Sequence, residues 1–359
     1  MTSIVFHVIL YIIFSKTFTF RSGMNHKNVR YHLLFLLIIG FLITGCGKRD
    51  DEKTVVIYTA VDQIYSSKIF QLFENRTGIK VKPLYDTEAS KAIGLRKRLL
   101  IEKDHPRADI FWNSEPLQTM VLKSHGIFES LNPLPDGISS YRSTQFFDSR
   151  GRWFGFGGRK RVVVVNTNGL SPEKFPRSLQ DLWEVHLFGK TAISYPFSGT
   201  TAAHFSALYK KMGAEAFHAL IEQIRKSGSA ILAGNSVVME AVGSGKFLAG
   251  MVDSDDVQAG LRQGFGIKSL CYDQNGSGNF MLFGTVSLVK GAPHPDRAKQ
   301  FIEFLLDPEV EKELIRMGAF DTALLSTFTT NECLSWSMPP EKILEGYRES
   351  RSILTQVLQ

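Results

Sequence analysis

The chain has 359 residues, 43% of them apolar and 21% charged, which suits one large or two ordinary domains with hydrophobic cores. The formal charge of +7 falls to +3 without residues 1–45, which carry four basic residues and no acidic one. So small a balance, with no basic stripe and no nucleic-acid motif, argues against nucleic acid as a partner.

The amino end predicts export. His32 to Gly45 is almost purely apolar, follows Lys27 and Arg30, and leads into Ile43-Thr-Gly-Cys46. A basic region, an apolar run and small residues before a cleavage point are typical of a secretory signal. The pattern resembles a lipobox, which implies cleavage before Cys46 and lipidation of its thiol. A single-pass anchor is the alternative, although the run is short for a span of about 20 residues.

Met24 begins a compact signal by itself, so the sequence leaves open whether Met1 or Met24 is the start.

The next predicted elements alternate between strands and helices. Val55 to Ile57 reads as a strand buried on both faces. A helix over 66–76, a strand from Ile79, a helix to about Lys103 and a strand over 109–112 follow. Right-handed crossovers bring the polar loops after these strands to one edge of a sheet.

The second half of the chain continues the alternation. Strands are predicted over 161–166, 191–195, from Ile231 and over 248–252, and helices over 200–212, 214–226, 237–242 and from His294. Met281 to Val289 is a further apolar strand. Cys271 and Cys333 lack any Cys-x-x-Cys spacing, so zinc is not expected. A disulfide between them and two buried free thiols are both compatible with the sequence.

An ordered set of motifs resembles one protein family. The set comprises Thr77 to Val81, Ala108 to Glu115, Arg161 to Thr167, Ser198 to Thr201, Ala233 to Ser236 and Lys290 to Pro295. Over residues 53–325 the chain resembles bacterial extracellular solute-binding proteins of the ferric-iron-binding type, the capture subunits of ABC importers. The resemblance implies an α/β fold of the two-lobed periplasmic-binding-protein type 2, with hinge crossings and an interlobe ligand cleft.

The organisation expected from the resemblance has five parts. These are a signal peptide over 1–45, a tether over 46–53, lobe 1 over 54–158 plus 275–325, lobe 2 over 159–274, and a C-terminal helical segment over 326–359. The first crossing between the lobes is expected near Gly158.

The turn after Tyr195 is the best local candidate for binding an anion. The predicted ligand-binding residues here are Tyr195, Ser198, Gly199, Thr200 and Thr201, which lie where a strand ends and a helix begins. A helix start favours negative charge. The alternative is an ordinary helix cap, because Ser and Thr are preferred there.

Acidic side chains follow several strands, and oxygen-rich clusters suit hard cations. The predicted ligand-binding acids are Asp62, Glu88, Glu115, Asp253, Asp255 and Asp256, and the metal ligands among them are Glu88, Glu115 and Asp255. The alternative is that each acid is a helix cap or a solvated charge. Ferric-binding relatives usually carry an adjacent tyrosine pair near Asp253 and a histidine after the first strand, and this chain has neither.

Arg159, Lys160 and Arg161 flank the expected crossing. Their arginine forks match carboxylate and phosphate, so pairing with an anionic ligand is one interpretation. The other, slightly favoured, is that they are solvated charges at the start of a strand.

The chain lacks the metalloprotease signature His-Glu-x-x-His and the hydrolase signature Gly-x-Ser-x-Gly. It is therefore predicted not to be an enzyme. A secreted lipoprotein hydrolase is the less favoured class. The resemblance implies a monomeric binding lipoprotein of an ABC importer, with permease and ATPase partners and a lipid-attached location in the periplasm or at the cell surface. Its expected cargo is ferric iron or a similar hard metal, with or without an anion, and no cofactor. A small phosphorylated or carboxylated solute is the alternative cargo.

Overall fold

The computed structural model describes residues 53–86 and 93–358. The predicted signal segment, Cys46 and Glu88 lie outside the described residues. The strands of the described part join into one sheet. They are β1 Thr54–Thr59, β2 Lys80–Tyr85, β3 Ile110–Asn113, β4 Phe154–Asn166, β5 Thr191–Ser194, β6 Ala230–Leu232, β7 Ala249–Asp253, β8 Ile267–Leu270, β9 Asn279–Leu288 and β10 Ser335–Trp336.

Helices alternate with these strands, as the sequence pattern predicts. They are α1 Gln63–Thr77, α2 Ile93–Ile101, α3 Pro116–Ser124, α4 Gly199–Met212, α5 Ala214–Lys226, α6 Asn235–Gly243, α7 Ser254–Arg262, α8 Pro295–Leu305, α9 Pro308–Arg316 and α10 Pro340–Leu358. Short 3-10 turns cover Asp136–Ser140, Thr144–Phe146, Pro172–Lys174, Asp181–Trp183 and Val185–Leu187.

The opening strands have the predicted parallel arrangement, with β1 between β2 and β3. Helix α1 begins three residues earlier than predicted and ends at Gly78, which adopts φ +68° and donates its N–H to Glu74 O at 2.8 Å. That left-handed backbone is the usual glycine stop of a helix. The buried face of α1 packs through Phe73 against Phe301 of α8, with ring centroids 5.0 Å apart.

Strand β4 changes partners midway, and this change defines the two lobes. From Phe154 to Lys160 it pairs with β9, and from Arg161 to Asn166 it pairs with β7 and β8. All thirteen of its residues are buried. Strand β9 in turn pairs with β3 of the first lobe. The sheet order β2-β1-β3-β9-β4-β7-β5-β6 therefore runs from one lobe into the other through the adjacent strands β9 and β4.

The second lobe has its own core, in which Phe205 of α4, Phe217 of α5 and Ile193 of β5 are buried. Helix α10 crosses α4 closely, because Gly346 leaves no room for a side chain: an added Cβ would lie 2.3 Å from Ser206 O. Replacing Gly346 by alanine would therefore push the two helices apart.

Cys271 and Cys333 form a disulfide, with Cα atoms 5.8 Å apart. The alternative of two buried free thiols is therefore wrong. Among the helices of the described residues, none combines the length and the apolar character that crossing a membrane requires.

Candidate functional site

A cavity of about 30 Å³ lies where loops of the two lobes meet. Ser114 and Glu115 contribute from the end of β3, and Arg159 from the middle of β4. The second lobe contributes Ser194, Tyr195, Ser198, Gly199, Thr200, Ala233, Gly234, Asn235 and Asp253. Ligands of open α/β sheets collect at such strand ends. The volume is close to that of a single water, so a larger solute needs a wider opening of the cleft.

Helix α4 begins at this cavity. Ser198 is its extended cap residue, and Gly199 adopts φ +59°, which only glycine accepts readily. The first intrahelical bond runs from Ala202 N to Ser198 O at 3.2 Å. The N–H groups before it, including that of Thr200, have no partner within the helix, and the helix dipole adds positive potential there.

The hydroxyl groups of this turn point into the protein. Thr200 Oγ1 donates to Asp253 Oδ2 at 2.8 Å and accepts from Asn235 Nδ2 at 2.9 Å. Thr201 Oγ1 accepts from Arg161 Nη2 at 3.2 Å and bonds to the Ser194 hydroxyl. The turn therefore offers a ligand its backbone N–H groups, whereas the threonine hydroxyls are used inside the lobe.

Arg161 is the centre of that internal network and is fully buried. Its Nη1 donates to Asp253 Oδ1 at 2.8 Å, to Asn235 Oδ1 at 3.0 Å and to Thr200 Oγ1 at 3.3 Å. The network links the ends of β5 and β7 to the starts of α4 and α6. Such a connected set of buried polar groups fixes the positions of the loops that it joins.

Arg159 lines the cavity on the same face of β4 as Arg161. Its Nε lies 3.3 Å from Asp253 Oδ2, and its Nη1 lies 3.4 Å from Asp255 Oδ2. Burial acts to lower the pKa of Arg159, but the charges of Asp255, Asp253 and Asp62 raise it overall. Arg159, Lys160 and Arg161 are all buried, so the interpretation as solvated charges is wrong. Carboxylates that are far along the chain, such as Asp253 and Asp255, pair with these charges and make their burial possible.

Oxygen atoms of Asp253, Asp255 and Asp256 lie within 4.8 Å of one another, a spacing compatible with a metal ion. However, Asp253 caps α7 in a reciprocal capping box with Asp256. Burial acts to raise the pKa of Asp253, but Arg161 and Arg159 outweigh it and hold the pKa below its usual value. A cation at Asp253 would therefore compete with two guanidinium groups for the same oxygens.

Glu115 is almost fully buried and caps α3, as its carboxylate accepts from Leu117 N and from Gln118 N at 3.1 Å. Asn113 Nδ2 also donates to it at 3.2 Å. Burial raises the pKa of Glu115 to about 7, although these hydrogen bonds and the charge of Arg159 act in the opposite direction. The group therefore changes charge near neutral pH, beside the cavity.

The other predicted residues have different positions. Tyr195 is 42% exposed at the cavity rim and packs on Phe197 at 5.3 Å between ring centroids. Asp62 is the cap residue of α1 and is near enough to Arg159 to influence its pKa.

Sequence reasoning omitted six cavity residues from its site, namely Ser114, Arg159, Ser194, Ala233, Gly234 and Asn235. Asn235 lies three residues after the end of β6, at the start of α6, so the rule that ligands collect at strand ends would have found it.

The family model for bacterial extracellular solute-binding proteins matches residues 106–332. The chain belongs to this family. Solute binding by this protein agrees with a polar cavity that loops of both lobes enclose.

Two kinds of relative resemble this solute-binding protein. The Fe(3+)-binding periplasmic protein of Serratia marcescens is 25% identical over 288 residues, which are 79% of this chain and 82% of that protein. The ferric binding protein from Campylobacter jejuni has a similar fold, with a TM-score of 0.73, 20% identity and coverage of 84% and 99% of the two chains. The periplasmic binding protein AfuA of Actinobacillus pleuropneumoniae, solved with fructose-6-phosphate, reaches a TM-score of 0.71 at 20% identity, with coverage of 85% and 97%. These structures have the two-lobed periplasmic-binding fold of this protein.

Proposed function

We propose that this protein captures ferric iron together with an anion in the cleft between its lobes. The observation that carries the proposal is the pairing of Arg159 with the N-terminus of α4 across a cavity that also contains Glu115 and Asp253. Positive and negative groups thus face the same space. Relatives over most of the chain's length are called ferric-iron-binding proteins, which favours iron as the metal.

The two parts of the cargo have different partners in this proposal. The anion lies against the Arg159 guanidinium and the first-turn N–H groups near Thr200, where its charge is favoured. Asp253 has both oxygens engaged by Arg161, Thr200 and Asn235. In this proposal Glu88, Glu115 and Asp255 bind the iron together with oxygens of the anion, because hard cations prefer oxygen ligands. Glu115 then shares its oxygens with the N–H groups that it caps.

A small phosphorylated or carboxylated solute without metal is the second candidate. One observation favours it: the arginines already neutralise Asp253, so the cavity wall of the second lobe is a donor surface rather than a metal cage. The AfuA structure contains fructose-6-phosphate in a similar fold.

Calorimetry with four probes tests the choice between the candidates. The probes are ferric citrate, citrate alone, inorganic phosphate and fructose-6-phosphate, and native mass spectrometry with metal analysis gives the stoichiometry. We expect ferric citrate to bind one to one and citrate alone to bind at least tenfold more weakly. Tight binding of fructose-6-phosphate, with no iron retained, would replace iron by the second candidate.

We further propose that the protein is the capture subunit of an ABC importer. Lobe 1, over 54–158 plus 275–325, and lobe 2, over 159–274, close on the cargo by a hinge motion.

The lipobox around Cys46 supports attachment to the membrane through a lipid, in the periplasm or at the cell surface. In Cys46→Ser we expect no incorporation of labelled palmitate and a retained precursor. Palmitate that still enters this variant would contradict the anchor.

A further inference from the structure

A second cavity, of about 500 Å³, lies among α4, α5, the loop after β8, and β10. It shares no lining residue with the cleft cavity. Its volume falls in the range of roughly 300 to 1,000 Å³ that small-molecule sites occupy. The proposed iron site uses none of its residues.

His204 of α4 lines this cavity and is fully buried, with its ring stacked on Phe280 at 5.2 Å and an interplanar angle of 9°. Neither ring nitrogen has a hydrogen-bond partner within the described part of the chain. Burial, and then the charge of Arg161, lower the pKa of His204 well below its usual value. The neutral ring thus carries one donor and one acceptor, and buried groups of this kind normally have partners.

Two opposite charges also line the cavity. Lys211 Nζ lies 4.0 Å from the centre of the Trp336 ring, and burial lowers the pKa of this lysine. Asp273 belongs to the loop after β8, and burial raises its pKa, although the N–H of Leu179 donates to its carboxylate. Neither group is found in an ion pair among the described residues. The cavity therefore presents a cation and an anion that are not bonded to each other.

The remaining wall is largely apolar and firmly held. Leu208, Met212 and Leu220 provide aliphatic surface from α4 and α5. The loop with Asp273 is fixed to the segment before Trp336 by the Cys271–Cys333 disulfide. A wall held in this way restricts the positions of the groups that line it, which favours binding by preorganisation.

We propose that this cavity is a second small-molecule site, which binds an α-amino acid with an aliphatic side chain. The carboxylate of the ligand pairs with Lys211 and its ammonium group with Asp273. The side chain lies on the aliphatic wall, and a shift of this wall on binding brings the ligand within hydrogen-bond distance of the buried imidazole of His204. Lys211 and Asp273 are near enough to influence each other electrostatically, so one small molecule that carries an anionic and a cationic group satisfies both.

Calorimetry and thermal shift with L-alanine, L-valine, L-leucine and L-methionine test the site. Two probes matched to leucine are 4-methylpentanoate, which lacks the ammonium group, and 3-methylbutylamine, which lacks the carboxylate. We expect at least one amino acid to bind one to one, and both leucine probes to bind at least tenfold more weakly than that amino acid. No binding by any of the four amino acids, or equal binding of 4-methylpentanoate, overturns the proposal.

Variants then locate the binding. We expect Lys211→Gln, Asp273→Asn and His204→Phe each to weaken amino-acid binding at least tenfold and to leave binding of ferric citrate unchanged. Asn tolerates the left-handed backbone of residue 273, where φ is +50°. Lys210→Gln is the control, because its ammonium group pairs with Glu349 outside the cavity. Amino-acid binding that survives these variants but is lost in Arg159→Gln belongs to the cleft and overturns the proposal.

Discussion

The two faces of strand β4 both carry buried positive side chains, but the hydrogen bonding of these side chains differs between the faces. Side chains alternate along a strand, so Arg159 and Arg161 share one face and Lys160 has the other. Lys160 Nζ donates to Asp321 Oδ1, to Thr322 Oγ1 and to Asn331 O, each at 2.9 Å. An ammonium group has three protons, so every donor of this buried lysine has an acceptor.

On the face of β4 that carries the two arginines, not every hydrogen-bond donor has an acceptor. Arg161 Nε donates no hydrogen bond within the described residues, and Arg159 Nε, although 3.3 Å from Asp253 Oδ2, is not aligned for one. Arg159 also lines the cleft cavity. A buried cation with every donor bonded serves the fold, whereas one with donors left over beside a cavity is suited to a ligand. Among three consecutive residues, the charge of Lys160 thus serves the fold, and that of Arg159 is suited to binding a ligand.

The largest effect is expected for Lys160→Met. Removing one partner of a buried ion pair leaves Asp321 as an uncompensated buried charge, which typically lowers stability by about 3 to 5 kcal/mol. Urea denaturation measures the loss, with Lys174→Met as an exposed control. A loss below about 1 kcal/mol would mean that the charge of Lys160 is not structural. Replacing both partners, in Lys160→Met with Asp321→Leu, should restore part of the stability.

Glu115 makes the cleft face sensitive to pH. Its pKa in the folded protein is about 7, against about 4.3 in an unfolded chain. Between these values the folded state binds more protons, so stability falls as pH rises and the loss is complete above pH 7. The whole loss amounts to about 4 kcal/mol, of which about 3 kcal/mol falls between pH 5 and pH 8.5.

Denaturation curves at pH 5 and pH 8.5 test this expectation. The variant Glu115→Gln should show a fall in stability smaller than that of the unchanged protein by about 3 kcal/mol. Burial also raises the pKa of Glu311, but that group is present in both proteins and cancels in the difference. Glu129→Gln, on an exposed side chain, is the control. Identical pH dependence of Glu115→Gln and the unchanged protein would contradict the shift.

Arg159→Gln should weaken ligand binding, in addition to the stability that is lost with the ion pairs to Asp253 and Asp255. A hydrogen bond to a charged group contributes about 1.5 to 3 kcal/mol, which corresponds to roughly 10- to 150-fold in affinity. Calorimetry with the tightest binder among ferric citrate and fructose-6-phosphate measures it. Arg159→Lys should recover part of the affinity, because it keeps the charge but not the planar fork. Unchanged affinity in Arg159→Gln would remove this arginine from the site.

The sequence predicted the order of strands and helices well, because apolar runs and helix stops are local signals. Charge burial depends on partners far along the chain, such as Asp321, 161 residues from Lys160, and Asp253, 92 residues from Arg161. No local pattern indicates that these carboxylates meet the strand. The sequence thus favoured solvated charges where the fold has buried pairs.

The candidate site shows the same limit. Residues at strand ends such as Thr200 and Glu115 were recognised by position, and both line the cavity. Which of their atoms are used inside the protein was not predictable. The Thr200 hydroxyl bonds to Asp253, 53 residues along the chain, because β5 and β7 are neighbours in the sheet. Glu115 caps α3 through local bonds, which is the alternative that the sequence offered for each acid.

The smallest effect is expected for Thr200→Val, which tests the division between hydroxyl and backbone. The substitution removes the bonds of Thr200 Oγ1 to Asp253, Asn235 and Arg161 but keeps the N–H at the start of α4. These three partners remain bonded to one another, so we expect stability to fall by only about 1.5 kcal/mol, as for one hydrogen bond to a charged group.

Ligand affinity should change less than about threefold in Thr200→Val, because the group that meets the anion is the N–H. Thr200→Ser keeps a hydroxyl and serves as the control for stability. Denaturation and calorimetry on the three proteins separate the two quantities. If affinity instead falls tenfold while stability is kept, the hydroxyl contacts the ligand directly. The internal network around Arg161 would then rearrange on binding, and the arginine face of β4 would be a binding surface along its whole length.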